Sequence, residues 1–444
     1  MQASRDMKRE LAVEKPQISR RTWMKAVFGH DFLLLLLAGI NPLLSTALAD
    51  GGAAAIVPVL QTTFTNPTPA AVDWFGWSVA AVGSDRVLIG APGAVTGPMS
   101  AGEAYLFSAN GILLTIFTNP TPANSDNFGW SVAAVGSERV LIGAPGDDTG
   151  TTNAGAAYLF STNGTLLNTF TNPAPAAYDK FGNPVVAVGS DRVLIIANGG
   201  TINAGAAYLF STNGTLLTTF TNPTSTASDV FGSSAAAVGN DRVLIGAFLD
   251  DAGATDAGAA YLFSVNGTPV TTFTKPSPAT GDRFGSAVAA VGSDRVLIGA
   301  IWDDTGAPNA GAAYIFSTNG MLLTTFIAPY PATSGLFGSS VAGVGSDRAL
   351  IGAPYDNTGA AQAGAVYLFA LIPSLNIEPT STSTLAVSWP LFAPDFLLQQ
   401  NTNGLATANW SNVTDTVQDD GTNKYLIIDP AVGNRFYRLS KQSQ

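Results

Sequence analysis

A Phe-Gly dipeptide that recurs every 50 to 53 residues constrains the fold of this 444-residue chain more than any other feature. The dipeptide begins at six positions: Phe75, Phe128, Phe181, Phe231, Phe284 and Phe337. A fixed period of this length is typical of repeat architectures, in which each period folds as one supersecondary unit. The sequence therefore predicts six copies of one structural unit.

Each period contains four short apolar runs separated by turn residues. In the second period these runs cover residues 128–135, 140–145, 156–160 and 165–170. They are rich in β-branched and aromatic residues and are bounded by Gly, Asn, Asp and Pro, which is typical of β-strands. Asn-Gly and Gly-Ser-Asp steps between them supply the positive φ angles that tight hairpins need. The pattern predicts an all-β fold, a six-bladed β-propeller of four-stranded blades.

The two ends of the repeat array complement each other. Residues 60–67 precede the first Phe-Gly and copy the fourth strand of the later periods, whereas the sixth period stops after its third strand, at residues 367–369. We expect the N-terminal strand to complete the last blade, because closing the ring removes two exposed sheet edges. The propeller is expected to span residues 50–372.

The repeats resemble those of a known family. Each period opens with Phe-Gly, and Gly-Ala-Pro follows intact in three periods, from Gly90, Gly143 and Gly352. The triplet is degenerate in the other three, from Ile196, Gly246 and Gly299. Over residues 56–370 this pattern resembles the FG-GAP repeats of integrin α-subunit propellers and of exported bacterial proteins, and it implies a propeller with a binding or adhesion role. We do not expect the calcium-binding loop of that family in this chain. The corresponding turn is Gly-Ser-Asp-Arg, which has too few oxygen ligands for Ca²⁺, since the ion takes six to eight.

The first 49 residues have the features of an export signal. Residues 19–25 contain a twin arginine, residues 32–40 are apolar, and residues 47–49 form an Ala-x-Ala cleavage site. The segment resembles a twin-arginine signal, with the general secretory route and an uncleaved N-terminal anchor as alternatives. We expect an exported protein, in the periplasm, at the cell surface or outside the cell, with no membrane span after cleavage.

Composition excludes several functions. The net charge is −11, and residues 1–49 carry seven Lys or Arg against four Asp or Glu, so the acidic charge lies in the remainder. An acidic body repels phosphates, so nucleic-acid binding is not expected. The chain has no cysteine and a single histidine, His30, which would leave with the signal. The mature protein would thus lack the common nucleophile–base pairs, and no catalytic residue is assigned.

Loop parity predicts one acidic face. Antiparallel strands place the loops between strands 2 and 3, together with the connections between blades, at one face. Thirteen aspartates fall there: Asp73, Asp126, Asp147, Asp148, Asp179, Asp229, Asp250, Asp251, Asp256, Asp282, Asp303, Asp304 and Asp356. The opposite face carries paired Asp-Arg or Glu-Arg steps and is formally neutral.

Two sets of residues on the acidic face are candidates for binding. Candidate oxygen ligands for Ca²⁺ occur in three of the strand 2–3 loops: Asp147, Asp148 and Asn153; Asp250, Asp251 and Asp256; Asp303, Asp304 and Asn309. The competing interpretation is that they are turn formers and caps. The second set consists of four tryptophans: Trp74, Trp77, Trp130 and Trp302. They form either a ligand-binding surface or part of the core between blades.

The repeat pattern ends after residue 371, and residues 373–444 form a second domain. Alternating apolar runs and turn residues predict a small β-sandwich-like domain. The leading functional hypothesis is an exported, monomeric, non-enzymatic binding or adhesion scaffold that contacts a protein or glycan through the acidic face. The alternatives are a carbohydrate-active enzyme that uses carboxylates on that face and a purely structural envelope protein.

Overall fold

A computed structural model describes most of the chain after residue 61. The described residues are 31–34, 62–95, 97–200, 205–224, 228–358, 360–371, 373, 375–380, 384–390, 396–402, 409–420, 423–428 and 435–441. The chain divides into two compact units, Pro58–Ile372 and a second formed by Met1–Val57 with Pro373–Gln444. Among these described residues all regular elements are β-strands, and no helix long and apolar enough to cross a membrane is found.

The unit Pro58–Ile372 consists of antiparallel sheets that follow one another along the chain, here called sheets 1 to 6. Sheets 1 to 3 have the strands Ser78–Val82, Arg86–Ala91, Glu103–Ser108 and Leu113–Thr118; Ser131–Val135, Arg139–Ala144, Ala156–Ser161 and Leu166–Thr171; Val185–Val188, Arg192–Ala197, Ala206–Ser211 and Leu216–Thr221. Sheets 4 to 6 have the strands Phe231–Val238, Arg242–Ala247, Ala259–Ser264 and Pro269–Thr274; Phe284–Val291, Arg295–Ala300, Ala312–Ser317 and Leu322–Ile327; Ser340–Val344, Arg348–Ala353 and Ala365–Ala370.

The second and third strands of each sheet form the core. In sheet 2 nearly every residue of Arg139–Ala144 and Ala156–Ser161 is buried, because the neighbouring sheets cover both faces. One apolar cluster, for example, joins Leu106 of sheet 1 to Ile142 of sheet 2. Each such side chain contributes roughly 1.5–3 kcal/mol on burial. The fourth strands are exposed except for one phenylalanine, such as Phe170.

The repeated glycines have a steric cause. A Cβ on Gly143, in the Gly-Ala-Pro triplet, would lie 2.0 Å from the carbonyl oxygen of Gly182 in the next Phe-Gly. Gly182 itself has a φ of 102°, a conformation that side chains disfavour. The phenylalanine of that motif, Phe181, is fully buried. The two motifs of neighbouring periods are therefore one packing unit, in which backbone lies directly against backbone.

Arginines at the start of the second strands tie consecutive sheets together. The guanidinium of Arg86 donates to the carbonyl of Ser137 at 2.6 Å, and Arg242 donates to the carbonyl of Ser293 at 2.7 Å. Each of these two arginines also forms an ion pair with the aspartate that precedes it; Arg86 Nε, for example, lies 3.5 Å from Asp85 Oδ1. The Asp-Arg steps thus join neighbouring sheets as well as balancing charge.

Within the described part of the chain, sheet 6 has three strands, and the third is less covered than its equivalents in the other sheets. Val366 and Leu368 in Ala365–Ala370 are 65% and 54% exposed. Near the N-terminus, the Thr62 hydroxyl donates to the carbonyl of Ala109 at 3.0 Å, as Thr115 of a fourth strand does to Thr162. Residues 62–66 form no strand with sheet 6, and residues 50–61 lie outside the described residues. The predicted ring closure stays a prediction.

The described residues of the second unit form two four-stranded antiparallel sheets. One is formed by Asn376–Pro379, Leu385–Pro390, Asn423–Ile428 and Gln418–Asp419, and the other by Asp31–Leu34, Phe436–Lys441, Phe396–Asn401 and Ser411–Asn412. A buried cluster includes Val387 and Trp389 from one sheet with Leu398 and Leu439 from the other. Apart from Asp31–Leu34, the predicted export signal lies outside the described residues, so the signal stays a prediction.

Candidate functional site

The acidic face predicted from the sequence carries less surface charge than its composition implies. Eight of its thirteen aspartates are buried: Asp73, Asp126, Asp147, Asp229, Asp250, Asp282, Asp303 and Asp356. Asp148, Asp251 and Asp304 are exposed. The sequence pattern could not separate these classes, because a turn-forming aspartate and a buried acceptor occupy similar Gly- and Pro-rich surroundings.

The buried aspartates hold the loops in place. In the second period Asp126 Oδ2 accepts hydrogen bonds from Asn119 Nδ2 at 2.7 Å and from the amide of Ala123 at 2.6 Å. Asp147 accepts the Tyr158 hydroxyl at 2.6 Å. Burial, together with the negative charges of Asp147 and Asp148, raises the pKa of Asp126 to about 6 despite the Ala123 bond. Asp126 thus holds the connection together, and Asp147 ties the strand 2–3 loop to the third strand; we call these two carboxylates and their partners the brace.

The same brace is rebuilt with other residues in the fifth period. Lys275 stands where the earlier periods have asparagine, and its ammonium lies 2.9 Å from Asp282 and 3.0 Å from Asp303. Burial raises the pKa of Asp303, but hydrogen bonds from Thr305, Tyr314 and Lys275 outweigh it, so the pKa lies below its usual value.

The first and sixth periods vary the brace in other ways. In the first, Ala94 replaces the loop aspartate, and Glu103 from the third strand accepts the Tyr105 hydroxyl instead. In the sixth, Ala328 and Gly335 replace the asparagine and the connection aspartate together. Each of these periods thus keeps part of the brace: Asn66 still bonds Asp73 in the first, and Tyr367 still bonds Asp356 in the sixth.

The predicted calcium ligands are divided between two tasks. The first aspartate of each loop faces the tyrosine brace, as Asp250 does with Tyr261 at 2.5 Å. The second accepts a backbone amide five residues on: Asp148 from Asn153 at 2.8 Å, Asp251 from Asp256 at 2.9 Å, and Asp304 from Asn309 at 2.8 Å. Those three amide donors have φ angles of 49° to 52°, which Asn and Asp tolerate best.

Each pair of neighbouring carboxylates therefore bonds different partners. Within the described part of the chain, no group of three or more Asp, Glu, His or Cys is arranged to hold a metal ion. This arrangement agrees with the turn-and-cap interpretation, and calcium binding stays a prediction.

Three of the four predicted tryptophans lie together. The ring centroids of Trp74 and Trp77 are 5.7 Å apart, and those of Trp77 and Trp130 are 4.7 Å apart. Trp74 is 48% and Trp77 52% exposed, so these rings form a surface and not a core between sheets. We call Trp74, Trp77 and Trp130 the tryptophan cluster.

The tryptophan cluster depends on residues that differ between periods. Trp77 and Trp130 occupy the same position, two residues after the Phe of Phe-Gly, where the last three periods have Ser233, Ser286 and Ser339. Those serines bond backbone within their own period, as Ser286 does to the carbonyl of Gly299 at 3.3 Å. The aromatic surface is thus confined to sheets 1 and 2, and the scaffold accepts a small polar residue in its place.

Trp302 lies elsewhere, in the strand 2–3 loop of sheet 5. The guanidinium of Arg283 stands 3.3 Å from the centre of its ring. Trp302 also lines a pocket of about 380 Å³ between the loops of sheets 5 and 6. The other lining residues are Asn309, Ser334, Leu336, Tyr355 and Gln362. Tyr355 and Gln362 are not among the residues predicted above, although they stand 53 residues after Trp302 and Asn309, so an alignment of the periods points to them.

Successive antiparallel four-stranded sheets, with Phe-Gly packed on Gly-Ala-Pro between them, define a β-propeller protein. A family model described as FG-GAP repeat matches residues 59–107, 117–160, 218–263, 269–316 and 324–369, more than half of the chain. The chain therefore belongs to the FG-GAP repeat family. The third period, where Ile196 replaces the glycine of the triplet, has no match of its own.

Among solved structures, the chain is similar to the C-terminal WD40 domain of Sif2, at 12% identity and a TM-score of 0.40. That similarity covers 80% of this chain and 95% of the other. No curated protein matches the sequence.

Proposed function

We propose that this protein is an exported, non-enzymatic binding protein that contacts its ligand through the loops carrying the tryptophan cluster. The observation that carries the proposal is the exposure of two mutually contacting indoles, Trp77 and Trp74, next to Trp130. Large aromatic rings are normally covered in a folded protein, and a contiguous exposed group of them is characteristic of interaction sites. A rigid array of sheets holds these rings without further ordering on binding.

A hydrolytic role for the same face has less support. Carbohydrate hydrolysis needs two carboxyl groups that reach the substrate. Asp126 and Asp147 are 1% and 3% exposed; Asp126 accepts a hydrogen bond from Asn119 of its own connection, and Asp147 accepts one from Tyr158 of the third strand. The paired carboxylates are thus engaged within the fold, which favours binding over catalysis.

The proposal includes three points of architecture. Residues 1–49 direct export, with the twin-arginine route preferred; the six periods close as a six-bladed ring through an N-terminal strand; and residues 373–444 fold as a small sandwich-like domain. Closure is supported by the fourth-strand contact of Thr62 and by the uncovered third strand of sheet 6. A closed ring would present the loops as one continuous face.

The test is a double variant, Trp77→Ser with Trp130→Ser, which installs the residue that later periods carry. We expect binding of the labelled protein to arrays of extracellular proteins and glycans to fall more than tenfold, because aromatic anchors supply most of the energy at such sites. The matched control is Leu167→Ser with Leu217→Ser, which removes two similarly exposed apolar side chains on fourth strands. Equal binding by the tryptophan variant and the control, both folded, would refute the proposed contact surface.

A further inference from the structure

The pocket between the loops of sheets 5 and 6 is built from matching positions of two neighbouring periods. Trp302 and Tyr355 are 53 residues apart and supply an aromatic ring from each loop. Asn309 and Gln362 are likewise 53 residues apart and supply a side-chain amide from each loop. The pocket thus presents two rings and two amides, a combination that no other pair of neighbouring periods in this sequence repeats.

The equivalent place between sheets 4 and 5 is filled by an arginine. Arg283, the residue before the fifth Phe-Gly, lies 3.3 Å from the ring centre of Trp302 and 5.5 Å from that of Phe248. Burial lowers the pKa of Arg283, and the charge of Asp256 opposes that shift. Here a cation on an aromatic surface, with a nearby carboxylate, takes up the space between two loops.

One period later, both charged residues are replaced by neutral ones. Leu336 stands at the position of Arg283, and Asn309 stands at the position of Asp256. The backbone is the same, with φ angles of 56° at Arg283 and 54° at Leu336. The shorter leucine leaves the pocket of about 380 Å³ that Trp302, Tyr355 and the two amides line.

We propose that this pocket binds a neutral carbohydrate, with one pyranose ring between the loops of sheets 5 and 6. The six lining residues are uncharged, and the cation that contacts them, Arg283 on the ring of Trp302, has the opposite charge of Asp256 nearby, which disfavours an ionic ligand. Aromatic rings pack against the apolar face of a sugar, and amide groups both donate and accept hydrogen bonds, as sugar hydroxyls require. The volume lies at the small end of ligand pockets, which suits a mono- or disaccharide unit. This inference rests on the proposed function as a binding protein and names a ligand class at a second location.

Two variants taken from neighbouring periods test the site. Leu336→Arg places the Arg283 side chain at the equivalent position and should fill the pocket. Trp302→Leu installs the residue of the fourth period, Leu249, and removes one ring. The matched control is Leu217→Arg, which makes the same change at an exposed fourth-strand leucine far along the chain.

The probes are neutral glucose, galactose, mannose and xylose oligosaccharides, screened on an array, with calorimetry on the strongest binder. We expect the unmodified protein to bind at least one of them, and both pocket variants to lose more than tenfold in affinity while the control keeps it. Undiminished binding by both pocket variants would overturn the pocket assignment. Failure of the unmodified protein to bind any neutral oligosaccharide would overturn the ligand class. The proposed function is judged separately, by the Trp77→Ser and Trp130→Ser variant on protein as well as glycan ligands.

Discussion

Single buried carboxyl groups account for much of the physical chemistry of these repeats. Asp126 is 1% exposed and lies beside the negative charge of Asp147, and burial raises its pKa to about 6 from 3.8. A carboxyl whose pKa is raised in the folded state stabilises the fold only while it is protonated. Its contribution is therefore complete below about pH 4 and is lost as the pH rises through about 6.

The Asp126→Asn variant should remove this pH dependence. Asparagine keeps an acceptor for Asn119 and for the Ala123 amide but cannot ionise. We expect it to raise the free energy of unfolding at pH 7.5 by up to ~3 kcal/mol, since one pKa unit corresponds to ~1.4 kcal/mol, with little effect at pH 4. Urea unfolding at several pH values measures this. Asp251→Asn, the same change at an exposed loop aspartate of the fourth period, is the control; an equal gain there would refute the explanation.

Lys275 gives a second prediction at the residue scale. Its ammonium balances two buried carboxylates, Asp282 and Asp303, so removing it leaves them uncompensated. Lys275→Met should cost ~3–5 kcal/mol of unfolding free energy. Lys275→Asn should cost less, because earlier periods pair asparagine with the same aspartate, as Asn119 does with Asp126. Chemical denaturation compares the two. Equal losses would mean that the asparagine does not substitute for the ammonium in this brace.

At the scale of elements, the sequence predicted the strands well. Short apolar runs bounded by Gly and Asn at residues 140–145 and 156–160 became the strands Arg139–Ala144 and Ala156–Ser161. The period length and hairpin residues specify these elements locally. The contacts of the loop side chains could not be predicted in the same way. Whether Asp147 faces inward depends on Tyr158, eleven residues away along the chain, and local composition does not encode that contact.

The candidate site likewise has one part that could be predicted from the sequence and one part that could not. Aligned periods expose Trp77 and Trp130 as shared positions, so an aromatic cluster could be proposed from the sequence. The pocket beside Trp302 could not, because it depends on the length of the side chain at position 336 and on packing between two loops. Sequence periodicity identifies equivalent positions, whereas cavities arise from differences in side-chain volume between them.

The strand 2–3 loops give a prediction about calcium. Their paired aspartates bond a tyrosine on one side and a backbone amide on the other, as Asp303 and Asp304 do with Tyr314 and Asn309. Calcium would have to displace these bonds to gather its oxygen ligands. We therefore expect the same thermal midpoint in EDTA and in millimolar CaCl₂. A ligand that binds only the folded state raises the midpoint. A rise specific to calcium and absent with Mg²⁺ would convert these loops into metal sites.

At the scale of the whole repeat unit, the last sheet of the array differs from the inner sheets in the exposure of its third strand. Third strands of the inner sheets are buried, as in Ala156–Ser161, but in Ala365–Ala370 every second residue is exposed. An edge strand of this length with Val366 and Leu368 in solvent invites pairing with another chain. An intramolecular fourth strand would remove that hazard. The segment that begins the unit has the sequence to supply it.

Ring closure makes a specific prediction about which residues meet. In sheet 2 the third strand pairs with the fourth through Leu159 and Asn168, and the same register in sheet 6 would place Leu368 opposite Thr62. Directly opposed residues on antiparallel strands have Cβ atoms close enough for a disulfide. The chain has no cysteine, so Thr62→Cys with Leu368→Cys should form one intramolecular disulfide on oxidation, seen as faster migration on a non-reducing gel. Thr62→Cys with Leu167→Cys, whose second site lies in sheet 2, should not form one. Intermolecular dimers without the intramolecular product would instead mean that sheet 6 keeps an open edge and that the array ends without closing.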